Sequence, residues 1–166
     1  PIIGINKQFS DYPVYITPTY QSAKDILDCG IEIVALDATP RQRPNDEKIE
    51  DIVRKIRENY PDVLIMGEIS TLQEAKDILP LNFDLISTTL SGYTKESENV
   101  TSVNLELIKQ ICEITDTPII AEGKIKTEEE AAGAIKAGAL AVVVGTSITR
   151  PEIITSRYVN YLSSNV

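Results

Sequence analysis

Lys7, Asp37, Glu68, Glu122 and Arg150 are side chains able to carry protons or hold an anion, and each stands at or just past the end of a short apolar run. The last two runs are the most telling. Ile119-Ile120-Ala121 leads into Glu122-Gly123-Lys124-Ile125, and Ala141-Val142-Val143-Val144 leads into Gly145-Thr146-Ser147-Ile148-Thr149-Arg150-Pro151. Glycine lets a backbone come close to a ligand, and a helix start offers free N–H groups to an anion. Two such turns in succession suggest a phosphate cradle, with Gly123 and Gly145 as its backbone, Lys124 supporting the anion and Thr146 beside it. Glu122, flanked by Ala121 and Gly123, sits at the lip of the first turn as the strongest candidate for proton transfer. The chain has no histidine, which removes imidazole bases, His-based triads and HExxH zinc sites. Acid–base work falls to Lys, Asp, Glu or Tyr.

Each candidate has a plainer reading beside the functional one. Lys7 is a proton carrier near a carboxylate or an ordinary surface lysine. Asp37 is catalytic or, the favoured alternative, an acceptor for loop N–H groups and for Arg41 or Arg43. Glu68, after Gly67, is a site carboxylate or a turn residue. Thr88 and Thr89 end another run and point to substrate binding. Arg150 forks onto phosphate or carboxylate oxygens, or pairs with Glu152. Their common address is the C-terminal ends of strands, where (β/α) barrels build their sites.

The apolar runs that deliver these residues are Ile2–Ile5, Ile33–Leu36, Leu64–Met66, Leu85–Ser87, Ile119–Ala121 and Ala141–Val144. None alternates with polar residues, so the strands should be covered on both faces, as in a parallel sheet. Between them lie 3.6-periodic segments at 21–29, 46–59, 72–79, 104–114, 128–137 and 151–162. Thr19 caps the first, Thr71 with Glu74 and Thr127 with Glu130 form capping boxes, Gly138 stops the fifth and Pro151 starts the last. The pattern is six consecutive βα units joined by right-handed crossovers, and the residue-1 end reads as already inside a domain. A faint repeat relates Pro1-Ile2-Ile3 to Pro118-Ile119-Ile120. The polar stretch 93–102 is a lid or a solvated loop.

Length and composition narrow the class. One domain spanning 1–166 is the expectation for 166 residues. A net charge of −9, from 25 acidic and 16 basic residues, argues against a nucleic-acid partner, which needs a basic face. No apolar run approaches the roughly 20 residues of a membrane span, and no secretory signal is evident, so the cytoplasm is the default location. Cys29 and Cys112 are isolated and are expected to be small buried apolar side chains rather than a disulfide.

In these residues the chain resembles the N-acetylmannosamine-6-phosphate 2-epimerases. The matching words are Pro1-Ile2-Ile3-Gly4-Ile5-x-Lys7, Tyr15-Ile16-Thr17-Pro18-Thr19, Ala35-Leu36-Asp37-Ala38-Thr39-x-Arg41-x-Arg43-Pro44, Ile69-Ser70-Thr71, Thr88-Thr89-Leu90-Ser91-Gly92-Tyr93-Thr94, Ala121-Glu122-Gly123-x-Ile125 and Ile148-Thr149-Arg150-Pro151. They run the length of the chain in the family's order. The resemblance implies a (β/α)8 TIM barrel, of which this chain carries six consecutive units corresponding to strands 3 to 8, with no redox cofactor and no catalytic metal. It implies inversion at C2 between N-acetylmannosamine-6-phosphate and N-acetylglucosamine-6-phosphate. It carries the catalytic lysine onto Lys7, the catalytic glutamate onto Glu122, a phosphate- or sugar-binding arginine onto Arg150 and backbone phosphate contacts onto Gly123 and Gly145. Asp37, Glu68 and Thr88 join as substrate-binding positions, and the partner is a small phosphorylated amino sugar. A homodimer is compatible with this reading.

Three departures stand against the family pattern. The family places an aspartate where this chain has Glu68, and Gly-Gly-Ala where it has Gly145-Thr146-Ser147. It also has two further βα units ahead of the first strand here, which predicts a truncated barrel whose six strands do not close and whose edges stay unpaired. Two rival readings follow: another phosphate-binding barrel isomerase, of the tryptophan- or histidine-pathway kind, and a catalytically silent remnant that binds a phosphosugar or a partner chain.

Overall fold

The computed structural model describes residues 1–166. Its centre is a six-stranded, all-parallel sheet whose spatial order follows the sequence. The strands are β1 (Ile3–Gly4), β2 (Ile33–Asp37), β3 (Leu64–Glu68), β4 (Leu85–Ser87), β5 (Ile119–Glu122) and β6 (Ala141–Val143). Between them run α1 (Tyr20–Leu27), α2 (Ile49–Asn59), α3 (Leu72–Ile78), α4 (Leu105–Ile114) and α5 (Glu128–Lys136), and the short α6 (Thr146–Thr149) and longer α7 (Pro151–Asn165) follow β6. Each strand pairs only with its sequence neighbours, so the sheet curls as an open arc of a (β/α) barrel, with β1 and β6 as free edges.

The helices start where the side chains predict. Thr71 and Thr127 accept from the backbone N–H of Glu74 and Glu130, whose carboxylates reach back to the cap. Asn104 caps α4. Gly138, at φ 116, follows α5 in a conformation that L side chains avoid. On the inner side of the helices, Ile52, Val53 and Ile56 of α2 and Leu107, Ile108 and Ile111 of α4 join Val34, Leu36, Ile65, Ile86 and Ile119 in one core of 24 buried residues. On the sheet's other face Ile33, Ala35, Met66, Leu85 and Ile120 form a smaller cluster, the partial filling of the barrel interior.

Four expectations need correction. Both-face burial holds for β2, and for β3 to β5 apart from their ends, but β1 and β6 are only partly buried because nothing flanks them on the outer side. Helix α2 begins at Ile49 rather than Asp46, because Asn45 and Asp46 both take positive φ (60° and 52°), which a helix cannot continue through. Cys29 and Cys112 are free thiols, as expected, but exposed. Cys29 lies past the last turn of α1, and Cys112 sits at the rim of α4 with its Sγ 3.7 Å from the Gly138 carbonyl. The stretch 93–102 is not a loose lid. Its Thr94 hydroxyl donates to Ser70 Oγ at 2.9 Å, and Ser97 Oγ accepts from the Gly92 N–H at 2.9 Å. Both Thr94 and Ser97 are buried, so the loop is stitched to the end of β3.

Candidate active site

Parallel register aligns the C-terminal ends of the strands, and with them the carboxylates: Asp37 pairs with Glu68, and Glu68 with Ser87. Past β4 a side chain continues the ladder. Thr88 Oγ1 donates to the Glu122 carbonyl at 2.9 Å and accepts from the Glu122 N–H at 3.1 Å. The Thr88 hydroxyl is thereby consumed in fixing the backbone of Glu122 rather than turned to a ligand. The next residue does the reverse. Thr89 Oγ1 donates to Glu122 Oε2 at 3.1 Å, which leaves the Ser87 hydroxyl, 2.7 Å away, as the donor to Thr89. A relay of two hydroxyls thus ends on one carboxylate oxygen.

Glu122 is half-buried, and burial raises its pKa above the usual carboxylate range, opposed by the Thr89 hydrogen bond and by the charge of Lys7. Glu68 is 2% exposed. Its Oε2 is buried without a hydrogen-bond partner. Desolvation first, then the charges of Glu122 and Asp37, push its pKa up to about 8, while Thr89 and Lys7 oppose the rise. Lys7 is therefore within electrostatic reach of both carboxyl groups. Its position is set by a local crossing of chain. Lys7 bridges Ile16 in antiparallel fashion, the Gln8 N–H donates to the Tyr15 carbonyl at 2.9 Å, and the Thr17 N–H donates to the Asn6 carbonyl at 2.8 Å. The Asp37 N–H then donates to the Ile16 carbonyl at 3.3 Å, tying this crossing to the end of β2.

Exposed Lys7 lies within reach of the charges of Glu68 and Glu122, residues far from it in sequence, and the other candidates divide around this mouth. Asp37 is fully buried and saturated. It accepts from the Thr39 N–H (3.0 Å), the Thr39 hydroxyl (2.6 Å) and Arg41 Nη2 (2.5 Å), while Arg43 Nη2 donates to its carbonyl. Gly123 takes φ 97, and a Cβ there would stand 3.1 Å from the Thr89 carbonyl, so the turn under the mouth needs glycine on both counts. Lys124, also at positive φ, lays its ammonium over the Tyr93 ring, 4.3 Å from the centroid. Gly145 and Thr146 are exposed at the start of the four-residue α6. Arg150 is exposed and pairs with Glu152 at 2.7 Å, the plainer of its two readings.

The fold adds two residues to the mouth that the sequence does not single out as site groups. Tyr15 has its phenol pKa raised by burial, with Glu68 and Asp37 adding to the rise and Arg41 opposing it. Ser87 heads the hydroxyl relay. Neither carries a local signal, since Tyr15 sits in a loop of ordinary composition and Ser87 is the last residue of an apolar run. An open cleft of about 420 Å³ lies instead between the β2–α2 loop and α3, lined by Arg41, Arg43, Lys48, Glu74 and Asp77 among others. Lys7, Glu68 and Glu122 are not part of it. No group of three or more Asp, Glu or Cys side chains is placed to hold a metal ion. No helix is long and apolar enough to cross a membrane.

Comparison with known proteins points to one family. Residues 1–164 match the model of one family, NanE, described as "Putative N-acetylmannosamine-6-phosphate epimerase". The chain belongs to this epimerase family. Relatives bearing the corresponding 2-epimerase name include one from Caldanaerobacter subterraneus subsp. tengcongensis, 45% identical over 163 residues, which are 98% of this chain and 69% of that protein. Another, from Listeria welshimeri, is 43% identical over 168 residues, covering 99% and 71% respectively. The solved structure of the N-acetylmannosamine-6-phosphate 2-epimerase from Clostridium perfringens superposes with a TM-score of 0.90 at 43% identity, over 97% of this chain and 70% of that one. A thiamine phosphate pyrophosphorylase from Pyrococcus furiosus, at TM-score 0.56 and 21% identity, shares the fold alone. Membership in the epimerase family, with agreement along the whole chain, replaces the rival pathway-isomerase reading and supports the epimerase over the silent remnant.

Proposed function

We propose that this chain inverts C2 of N-acetylmannosamine-6-phosphate to give N-acetylglucosamine-6-phosphate, with residues 1–166 acting as one phosphosugar-binding barrel unit. The observation that carries the reading is the convergence of Lys7 with Glu122 in a chain whose family is named for this reaction. C2 of the open-chain sugar lies beside the C1 carbonyl, so its proton is acidified. A base removes that proton, the C–H electron pair becomes the C1–C2 double bond of an enolate-like species, and return of a proton on the opposite face inverts the centre. Lys7 and Glu122 are the two groups assigned to these transfers. The phosphate lies far from C2 and contributes orientation and remote binding energy. Gly123, Lys124, Gly145, Thr146 and Arg150 are assigned to it.

The test is exchange of the C2 proton in deuterated water, followed by NMR on the phosphosugar. Lys7→Ala and Glu122→Gln should each lower exchange by about 10²-fold or more, the usual scale for a lost general acid or base, while phosphosugar binding by calorimetry persists. Undiminished deuterium entry in both variants would remove the role assignment. No deuterium entry in the unsubstituted protein would remove the proposed reaction.

A further inference from the structure

Glu68 is more buried than Glu122, and no donor reaches its Oε2. Its register neighbour Asp37, equally buried, collects the Thr39 N–H and hydroxyl and the Arg41 guanidinium. An ionised carboxylate short of donors is costly in the interior. The neutral acid avoids that cost, and its O–H is itself a donor. The groups facing Glu68 divide in the same sense: Glu122 from β5 and Asp37 from β2 disfavour a charge on it, Lys7 from the chain crossing and the Thr89 hydroxyl favour one, and Tyr15 presents an un-ionised phenol. Asp37 has Arg41 and Arg43 at hand to balance it. Glu122 receives the hydroxyl relay that begins at Ser87 and passes through Thr89, so of the two glutamates it is the better supported as an anion.

We propose that Glu68 is a positioning residue that acts through Glu122, the two forming a carboxyl pair that holds one proton, so that the mouth carries a single negative charge, on Glu122. The pair titrates as a unit. Once its last proton leaves, two adjacent anions face a substrate that brings its own phosphate and develops further negative charge at the C1 oxygen. Glu68 thereby sets an alkaline limit on the reaction. The proposal rests on the C2-inversion reading, and part of its test is independent of turnover.

Infrared difference spectroscopy on the protein without substrate, stepped from pH 6 to pH 9.5, reads the pair directly. The expected result is a carboxylic acid C=O band that disappears with a midpoint near the value of about 8 that burial and Glu122 impose, and that is missing in Glu68→Gln. A wild-type protein with no such band at pH 6 to 7, or a Glu68→Gln variant that keeps it, overturns the proposal. The kinetic arm follows C2 deuterium exchange over the same range. In the wild type it should fall about tenfold per pH unit above the midpoint, as loss of one required proton dictates. Glu68→Gln, whatever its exchange rate at pH 7, should show no such fall once its rates are scaled to that value, and Glu68→Asp should restore a limb at a shifted midpoint. A limb unchanged in Glu68→Gln belongs to Lys7 or Glu122 and also overturns the proposal. Failure of the wild type to exchange at all strikes the C2 reading, and the band still decides the protonation of Glu68.

Discussion

Asp37 and Glu68 stand side by side in register at the ends of β2 and β3, both out of solvent, yet the chain surrounds one with donors and leaves the other with a carboxyl oxygen unpartnered. Asp37 is the hub of the β2–α2 loop: Thr39, Arg41 and Arg43 all bend back to it or to its carbonyl, and Arg43 is itself buried. Glu68 feels the charge of Glu122 instead. Strand-end acids in one barrel therefore serve two ends. A satisfied acid freezes a loop, and an unsatisfied one keeps its proton where chemistry is done.

The contrast can be broken most severely on the structural side. Asp37→Ala removes the carboxylate that accepts from Arg41 and stands 3.8 Å from Arg43 Nη2, and so leaves the buried Arg43 without its counter-charge although it still donates to main-chain carbonyls; unfolding in urea should show a loss of about 3–5 kcal/mol. On the other side the sign reverses with pH. Burial and Glu122 raise the folded-state pKa of Glu68 to about 8, whereas the unfolded chain releases that proton near the ordinary glutamate value. Between those values the native state binds the proton and the unfolded state does not. The Glu68 contribution to stability is therefore full below roughly pH 4.5 and declines by about 1.4 kcal/mol per pH unit as the pH rises toward 8. Glu68→Gln cannot release a proton, so its stability relative to the wild type should grow from pH 5 to pH 8 in urea titrations. A constant difference across that range would show that Glu68 is ionised throughout.

Smaller changes sharpen the picture. Thr89→Val removes the hydroxyl that bonds Glu122 Oε2. It should cost about 1 kcal/mol and move the Glu122 carboxyl further upward, measured by carbon-detected NMR titration. Tyr158→Ser on α7 should change stability by no more than about 0.5 kcal/mol, because that helix has no buried residue in this chain. A loss of several kcal/mol there would mean that α7 is covered in solution by something the chain alone does not supply.

Much of this architecture is legible in the residues themselves. Thr71 with Glu74 and Thr127 with Glu130 announce helix starts because capping is decided within four residues. The β-branched runs announce strands, and their lack of alternation announces burial on two faces, a reading that fails only at β1 and β6, where the outer neighbour is missing. Glu122 stands out as a site residue because small neighbours flank it in a turn. The partners of Asp37 lie two to six residues away, and so the loop-holding alternative is visible in Thr39-x-Arg41-x-Arg43.

The six βα units, their order, their caps and the acids and bases set down at strand ends are all properties of the linear chain, since each depends on interactions over a few residues. Which of those groups meet is a property of the folded molecule alone. The charge of Lys7 acts on Glu122 across more than a hundred residues of chain because parallel strands carry their ends to one rim. Thr88 is spent on backbone while Thr89, one residue on, reaches the carboxylate, and Arg150 turns to Glu152. The upward shift of the Glu68 carboxyl belongs with them. It follows from desolvation and from a neighbouring charge delivered by another strand, two quantities that exist only once the chain has folded.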